Sequence, residues 1–270
     1  MSNAPLLFAV IGQSISHSLS PTIHSHFAKQ FDINLIYKKI EVSKGQFESA
    51  VQQFRDEKGY GLNITSPFKK EAYTLCLPRS EAVNGKAINT IYWKDNLCCG
   101  INTDGPGLVQ DLVSHLKWSL ENKSILILGN GGAASGVLTS LQTLRPKLIT
   151  LAYRNPSNDM SNLFIDPKIK FIPYNQLQGP YDFIFNSTGQ QLSNLPFVKK
   201  WVPLTRCYDF NYNVNAVQFL TEAKQAGAQC GVNGLGMLIE QAALSFKQWH
   251  NLMPDTKRLH NLLNKDTFGI

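Results

Sequence analysis

The stretch Ser124-Ile125-Leu126-Ile127-Leu128-Gly129-Asn130-Gly131-Gly132-Ala133-Ala134 decides the fold. Four consecutive aliphatic residues after Ser124 form a short run with no polar face, as in a strand covered on both sides. Gly129 to Gly132 break that run, and Ala133–Leu144 then reads as a helix that stops before Pro146. Lys147–Ala152 returns as a second apolar strand. A strand, a glycine turn, a helix and a strand within about 30 residues make one parallel crossover unit. Inside it, Gly129-x-Gly131-x-x-Ala134 has a specific physical sense. The first glycine permits the tight turn, the second lets a pyrophosphate approach the backbone, and the small Ala134 allows close helix–strand packing. The helix N-terminus adds free N–H groups and partial positive charge, so the pattern in this context points to a dinucleotide.

The end of the following strand separates the two nicotinamide cofactors. An acid there, ~20 residues past the glycines, would bond a ribose 2′-hydroxyl. The chain instead reads Ala152-Tyr153-Arg154-Asn155-Pro156, with no acid before Asp159. Arg154 offers a planar cationic fork for a 2′-phosphate, which favours NADP. A solvated surface arginine is the alternative.

Outward from this unit the α/β alternation continues. Strands are expected at Ile169–Ile172, Tyr181–Phe185 and Cys207–Phe210, a spacing that suits a doubly wound sheet. Toward the N-terminus, Leu6–Ile11, Leu35–Val42 and Gly61–Ile64 read as strands. Pro21–Gln30 and Gln46–Glu57 read as helices, the first entered through Ser20 as N-cap. Ile88–Trp93 and Leu97–Ile101 can pair around Asp95-Asn96, and Gly105–Lys117 reads as a helix. Leu235, Leu238, Ile239, Ala242, Phe246 and Trp249 mark an amphipathic helix near the C-terminus. Two α/β domains follow, 1–104 and 105–234, with further helices over 235–270.

Composition narrows the class. The chain has 270 residues, 43% hydrophobic and 17% charged, which excludes a disordered or collagen-like protein. No stretch reaches the ~18 apolar residues of a membrane span, and no basic segment precedes the apolar run Ala4–Ile11 as a secretory signal requires. The five cysteines are odd in number and form no C-x-x-C, which points to a reducing cytoplasm. Lys+Arg exceeds Asp+Glu by 26 to 19, a net +7, but the bases cluster no further than pairs such as Lys38-Lys39. A nucleic-acid binder would show a basic stripe, so scattered surface lysines are the simpler reading. His24 and His26 are two apart on an expected helix and share no face, so no metal site is expected.

The first domain is unusually polar at its strand ends. Gly12–Pro21, Asn63–Lys70, Ala87–Thr90 and Gly100–Gly105 each abut an expected strand, where open α/β sheets gather their sites. Hydroxyls, amides, one lysine and one aspartate form an inventory suited to a small polyhydroxylated acid. Taken singly, Lys69 could be an exposed lysine at a helix start, and Asp104 or Ser20 could be a helix cap.

The chain resembles the shikimate dehydrogenases over essentially its whole length. The resemblance rests on His17-Ser18-Leu19-Ser20-Pro21, Asn63-Ile64-Thr65-Ser66-Pro67-Phe68-Lys69, Ala87-Ile88-Asn89-Thr90 and Asn102-Thr103-Asp104-Gly105, in that order. Gly129–Ala133, Asn186-Ser187-Thr188 and Gly234-Leu235-Gly236-Met237-Leu238 continue it. It implies an N-terminal α/β substrate domain, a doubly wound Rossmann-type NADP domain, and C-terminal helices that return to the first domain, leaving the substrate between the two. The implied activity is NADPH-dependent reduction of 3-dehydroshikimate to shikimate and its reverse, on the route to chorismate and aromatic amino acids. Ser18 and Ser20 would hold the substrate carboxylate with Tyr212 assisting. Thr65, Asn89 and Gln241 would bond the ring hydroxyls, and Lys69 and Asp104 would flank the reacting C3 oxygen. An ammonium there can stabilise and protonate the oxygen as hydride arrives, with the carboxylate orienting it. The implied cofactor set is Gly129, Asn130, Gly131, Gly132, Ala133, Arg154, Asn155, Thr188, Phe210 and Gly234.

Several positions depart from the family pattern. Ser66 replaces an aliphatic residue, Lys86 a common glycine, and Asn233 the usual aspartate before Gly234. Asn158 stands where many NADP-using members carry a second basic residue, leaving Arg154 as the main phosphate partner. The loop after Thr188 lacks the usual extra serine. An NAD-using quinate/shikimate dehydrogenase would be favoured by an acid after the second cofactor-domain strand, which is absent. A non-catalytic NADP-binding regulator would be free to lose the Lys69–Asp104 pair, which is present. The expected partners are a small-molecule substrate, no nucleic acid and no membrane, with room left for a homodimer.

Overall fold

The computed structural model describes residues 4–79, 85–154 and 166–263, and the chain divides into two compact units. One comprises Met1–Gly107 with Leu238–Leu259, the other Leu108–Met237 with His260–Ile270.

In the first unit the order is β1 (Leu6–Gly12), α1 (Ser20–Lys29), β2 (Leu35–Glu41), α2 (Phe47–Asp56), β3 (Gly61–Ile64) and α3 (Lys69–Leu75). It continues with β4 (Leu77–Pro78), β5 (Thr90–Lys94), β6 (Leu97–Ile101) and the start of α4 (Asp104–Gln110). The strands form one sheet in the order β2-β1-β3-β5-β6-β4. β1 runs parallel to β2 and β3, whereas β3, β5 and β6 pair antiparallel. β1 is apolar along its length and buried toward its end, while edge strand β2 carries exposed Lys38 and Lys39. Charges on an outer strand discourage pairing with another chain. Ala9, Ile11, Leu62, Ile64, Phe47, Phe54 and Phe68 build this unit's core.

The second unit contains β7 (Ser124–Leu128), α5 (Gly132–Gln142), β8 (Leu148–Tyr153), β9 (Ile169–Pro173) and β10 (Phe183–Asn186). α6 (Pro196–Lys199), β11 (Arg206–Asp209), α7 (Val214–Gln225) and β12 (Cys230–Val232) complete its sheet and connections. All strands are parallel, ordered β12-β11-β10-β7-β8-β9. That is the doubly wound order, with its switch point between β7 and β10. Ile125 and Ile127 of β7 enter one hydrophobic cluster, and Leu126 and Leu128 enter another. The strand is therefore apolar throughout because both of its faces are covered. The chain closes with α8 (Leu235–His250) and α9 (Lys257–Leu263). Among the described residues, no helix is long and apolar enough to cross a membrane.

Two local expectations are corrected. Ser20 is not the N-cap of α1. It is the first helical residue, Leu19 takes the cap position, and no side chain bonds there as a cap. The Ser20 N–H instead donates to Ser18 Oγ at 3.3 Å, so the serine two residues back does the capping work. The helix expected over Gly105–Lys117 begins at Asp104 and widens into a π-helical turn at Asp111–His115. Asp111 is buried there, accepting a hydrogen bond from Tyr208 Oη at 2.7 Å within the second unit.

Candidate active site

In the first unit, Lys69 and Asp104 meet. Lys69 opens α3, where its positive charge faces the unfavourable end of the helix dipole. Asp104 opens α4, where a negative charge is favourable. Lys69 Nζ donates to Asp104 Oδ2 at 2.6 Å, with side-chain exposures of 16% and 8%. At that burial the two charges depend on each other.

The carboxylate is held from several sides. Asn89 Nδ2 donates to Asp104 Oδ1 at 2.8 Å and to Thr103 Oγ1 at 2.9 Å. The Asp104 N–H donates to Asn102 Oδ1, and Asn102 Nδ2 donates to the Ala87 carbonyl. Gln241, on α8, accepts from Asn89 Nδ2 at 3.3 Å and from Thr103 Oγ1 at 3.4 Å, while its own Nε2 donates to the Leu238 carbonyl. Gly107 is required here, because a Cβ would press into the Gln241 backbone.

A buried polar chain leads from this pair to the serines. Asn63 Nδ2 donates to the Asn89 carbonyl, Thr90 Oγ1 and Ser245 Oγ, all at 3.1 to 3.2 Å. Tyr37 Oη donates to Asn63 Oδ1 at 2.6 Å, and burial pushes its phenol well above the usual range, with the Ser20 side chain acting the other way. Ser18 Oγ lies 3.2 Å from Ser20 Oγ. The hydrogen-bonded array thus runs from the Lys69–Asp104 pair through Asn89 and Asn63 to Tyr37, on the side of the serine pair. Thr65 stands at the end of β3, its N–H donating to the Ile11 carbonyl. Tyr212 belongs to the second unit, past the end of β11.

Ser245, Tyr37 and His24 were missed from sequence. Ser245 is fully buried four residues after Gln241, so it shares that helix face, and this spacing was the available signal. His24 is buried, stacked on Tyr37 with ring centroids 4.6 Å apart, and burial lowers its pKa to about 3. No sequence signal distinguishes it from His26, which is only partly buried.

In the second unit, the expected cofactor residues cluster at the carboxyl ends of the strands. Gly129 follows β7 with φ +99°, a conformation that favours glycine. Gly131 is the N-cap of α5 and Gly132 its first residue, and no side chain caps that end. A Cβ at either glycine would meet no heavy atom within 4 Å. The turn is thus an open cradle of backbone beside a helix N-terminus, which fits a pyrophosphate. Asn130 and Ala133 lie in the same turn and helix start.

Arg154 follows β8, is exposed, and donates to Gln190 Oε1 at 3.2 Å. Thr188 Oγ1 donates to Asn186 Oδ1 at 2.7 Å and accepts from the Gln190 N–H. Asn186 Nδ2 in turn donates to Asp209 Oδ2 at 2.7 Å. The Phe210 N–H donates to the Asn186 carbonyl, and the Gly234 N–H to the Asn211 carbonyl. A Cβ at Gly234 would press into the Phe210 carbonyl, so only glycine fits. Asp209, not foreseen from sequence, is the fully buried hub of these contacts. Burial raises its pKa to about 6, against hydrogen bonds from Asn211 and Asn186 that favour the carboxylate. Asn155 and Asn158 lie outside the described residues.

A parallel doubly wound sheet with an open glycine turn at its switch point, joined to an α/β unit built around a buried lysine–aspartate pair, defines a two-domain protein of the Rossmann type. Residues 10–91 match the model of the shikimate dehydrogenase substrate binding domain, and residues 234–263 that of the shikimate 5′-dehydrogenase C-terminal domain. A shikimate dehydrogenase (NADP(+)) of Legionella pneumophila is 40% identical over 259 residues, covering 93% of this chain and 96% of that protein. Among solved structures, the Ael1 enzyme from Pseudomonas putida superposes with a TM-score of 0.87 at 33% identity, covering 96% of this chain and 98% of that one. The shikimate 5-dehydrogenase from Thermus thermophilus in complex with NADP(H) and shikimate gives 0.82 at 27% identity, covering 95% and 97%. This chain belongs to the shikimate dehydrogenase family.

Proposed function

We propose that this protein catalyses the reversible NADPH-dependent reduction of 3-dehydroshikimate to shikimate. The observation that carries the reading is the buried Lys69–Asp104 pair, 2.6 Å apart and fixed by Asn89, in a chain 40% identical to an NADP(+) shikimate dehydrogenase. Bound NADPH would supply the hydride. Lys69 would hold its ammonium against the C3 oxygen, stabilise the charge that develops there and pass it a proton. Asp104 accepts from that ammonium and aims it. Thr65, Asn89 and Gln241 would bond the ring hydroxyls, and Ser18, Ser20 and Tyr212 the carboxylate. The division of labour follows the domains read from the sequence: 1–104 with 235–270 for substrate, and 105–234 for dinucleotide.

The cofactor would lie on Gly129, Asn130, Gly131, Gly132 and Ala133, with Thr188, Phe210 and Gly234 at the neighbouring strand ends and Asn155 beside Arg154. Arg154 would pair with the 2′-phosphate, its guanidinium exposed and tethered only lightly by Gln190. A cytoplasmic location fits the odd number of thiols. A homodimer is compatible with this reading and would show as twice the chain mass by light scattering.

The test is steady-state kinetics of the purified chain with shikimate and NADP, then with quinate, then with NAD. Rapid turnover of shikimate with NADP is expected. Quinate turned over with NAD at equal efficiency would favour the quinate/shikimate alternative, and turnover of neither substrate would favour a non-catalytic NADP-binding regulator. A hydrogen bond to a charged group is worth about 1.5–3 kcal/mol, so Arg154→Ala should raise KM for NADP roughly ten- to a hundred-fold. NAD kinetics should stay nearly unchanged. Equal weakening of both cofactors would place Arg154 in the fold rather than at the phosphate.

A further inference from the structure

Sulfur supplies the chemistry that neither cluster uses. Cys76 ends α3 with extended backbone, φ −105° and ψ 163°, and leads into β4. β4 pairs parallel with β6 in the register Leu77↔Cys99, which sets Cys76 level with Cys98. Neighbouring strands run ~4.8 Å apart, inside the Cα separation of about 4.4–6.8 Å that a disulfide spans. The two Sγ atoms are already 2.8 Å apart. Both side chains enter the same apolar cluster, whereas Cys99, one residue on, points to the opposite face.

The two thiols are not equivalent. Cys76 is 6% exposed. Cys98 is half-buried and opens on a groove of about 510 Å³ lined by Glu48, Gln52, Arg55 and Trp93. Arg55 is held there by a hydrogen bond from Nη2 to the Asn96 carbonyl at 2.9 Å. The groove therefore offers a reachable sulfur beside a fixed cation.

We infer that Cys98 and Cys76 form a thiol–disulfide exchange site for low-molecular-weight disulfides that bear carboxylates, with Cys98 attacking and Cys76 resolving. Cys98 is held below the usual thiol range by its hydrogen bond with Cys76, with Arg55 adding to the effect against burial. Cys76 is pushed up by that same hydrogen bond and by burial. The Cys98 thiolate attacks one sulfur of the small disulfide, forming a mixed disulfide and expelling one thiolate. That thiolate takes up a proton. Cys76, losing its proton to solvent, then attacks the Cys98 sulfur and expels the second thiolate. The protein dithiol is oxidised by two electrons, and one small disulfide is reduced to two thiols.

The test uses the full chain, reduced, desalted and incubated with glutathione disulfide, then trapped with N-ethylmaleimide and mapped by peptide mass spectrometry. The Cys76 and Cys98 peptides should be recovered joined, short of two hydrogens, and separable with dithiothreitol. Cys76→Ser should leave a stable glutathionyl group on Cys98. In Cys98→Ser, Cys76 should be modified at least ten-fold more slowly than Cys98 is in the wild-type chain. Full alkylation of both thiols in the wild-type chain would overturn the inference, and that arm needs no variant to fold. Prior modification of Cys99, Cys207 or Cys230 would overturn it as well. None of these readouts depends on shikimate turnover.

Discussion

A lysine at the first position of a helix works against the helix dipole, and burying it removes the water that would offset the cost. Lys69 tolerates both because Asp104 answers its charge. Lys69→Ala should therefore lower kcat about 10²–10⁴-fold, the usual worth of a positioned acid–base group. NADP affinity, measured by fluorescence titration, should not change. Stability should fall by up to about 3–5 kcal/mol, since Asp104 is left buried without its cation. Adding Asp104→Asn should restore much of that stability but none of the turnover, which separates the two roles of the pair. Turnover of Lys69→Ala within a few-fold of wild type would remove the lysine from the chemistry. Ser18 has both a local and a proposed distant task. Its hydroxyl accepts the Ser20 N–H at the entrance to α1. Ser18→Ala should raise KM for shikimate roughly ten- to a hundred-fold and cost about 1 kcal/mol of stability. Normal kinetics with a lowered melting temperature would leave only the capping role.

At the scale of elements, α8 shows how a departure from the family pattern is absorbed. Asn233 stands where aspartate is usual, and its Oδ1 accepts the Leu235 N–H at 3.1 Å at the start of the helix. An amide carbonyl serves that purpose as a carboxylate would. Asn233→Ala should cost about 0.5–2 kcal/mol in urea unfolding, whereas Asn233→Asp should retain the cap. Equal losses would show that another contact secures the helix start. Lys86 is a second case, adopting φ +44° where glycine is common in the family. The apolar stripe of α8 was legible because it repeats at the helical period. Ser245 carried only the weak signal of its four-residue spacing from Gln241, because a single serine beside such a stripe is equally at home in solvent. Strand β12 has three residues, Cys230–Val232, too few to show a period at all. The π-helical turn at Asp111–His115 was illegible for another reason. Its sequence continues a helical pattern, and Asp111 finds its buried partner Tyr208 from 97 positions away.

Across the molecule, the buried titratable groups set how stability follows pH. His24 has a pKa of about 3 when folded, against 6.5 ordinarily. Between those values the unfolded chain binds a proton that the folded chain refuses. Its contribution is therefore complete above pH 6.5 and is lost as pH falls toward 3, amounting to about 2 kcal/mol by pH 5. Asp209, raised to about 6, acts oppositely: its contribution is present below the unfolded carboxylate value and is lost as pH rises through 6. The change in urea midpoint for the first unit between pH 7 and pH 5 should shrink in His24→Phe. An unchanged slope would mean that His24 is protonated without cost where it sits.

What the sequence determined by itself was whatever depends on neighbours along the chain. The apolar run Ile125–Leu128 specified a strand covered on both faces, the glycines after it specified an open turn, and ordered short motifs carried the family. The absence of an acid before Asp159 and the presence of Arg154 were also legible, because both lie a fixed distance past the glycines. Tertiary structure alone decided the hydrogen-bonded array from Tyr37 to Lys69, in which Asn63 reaches Ser245 across 182 positions. It alone made Asp209 the hub for Asn186 and Asn211. It also brought the sulfurs of Cys76 and Cys98 to 2.8 Å, through a two-residue strand with no sequence signature. Such contacts form only after sheet register and helix docking are set. A polar side chain's partners are then chosen by proximity in the folded chain, and no local pattern encodes that proximity.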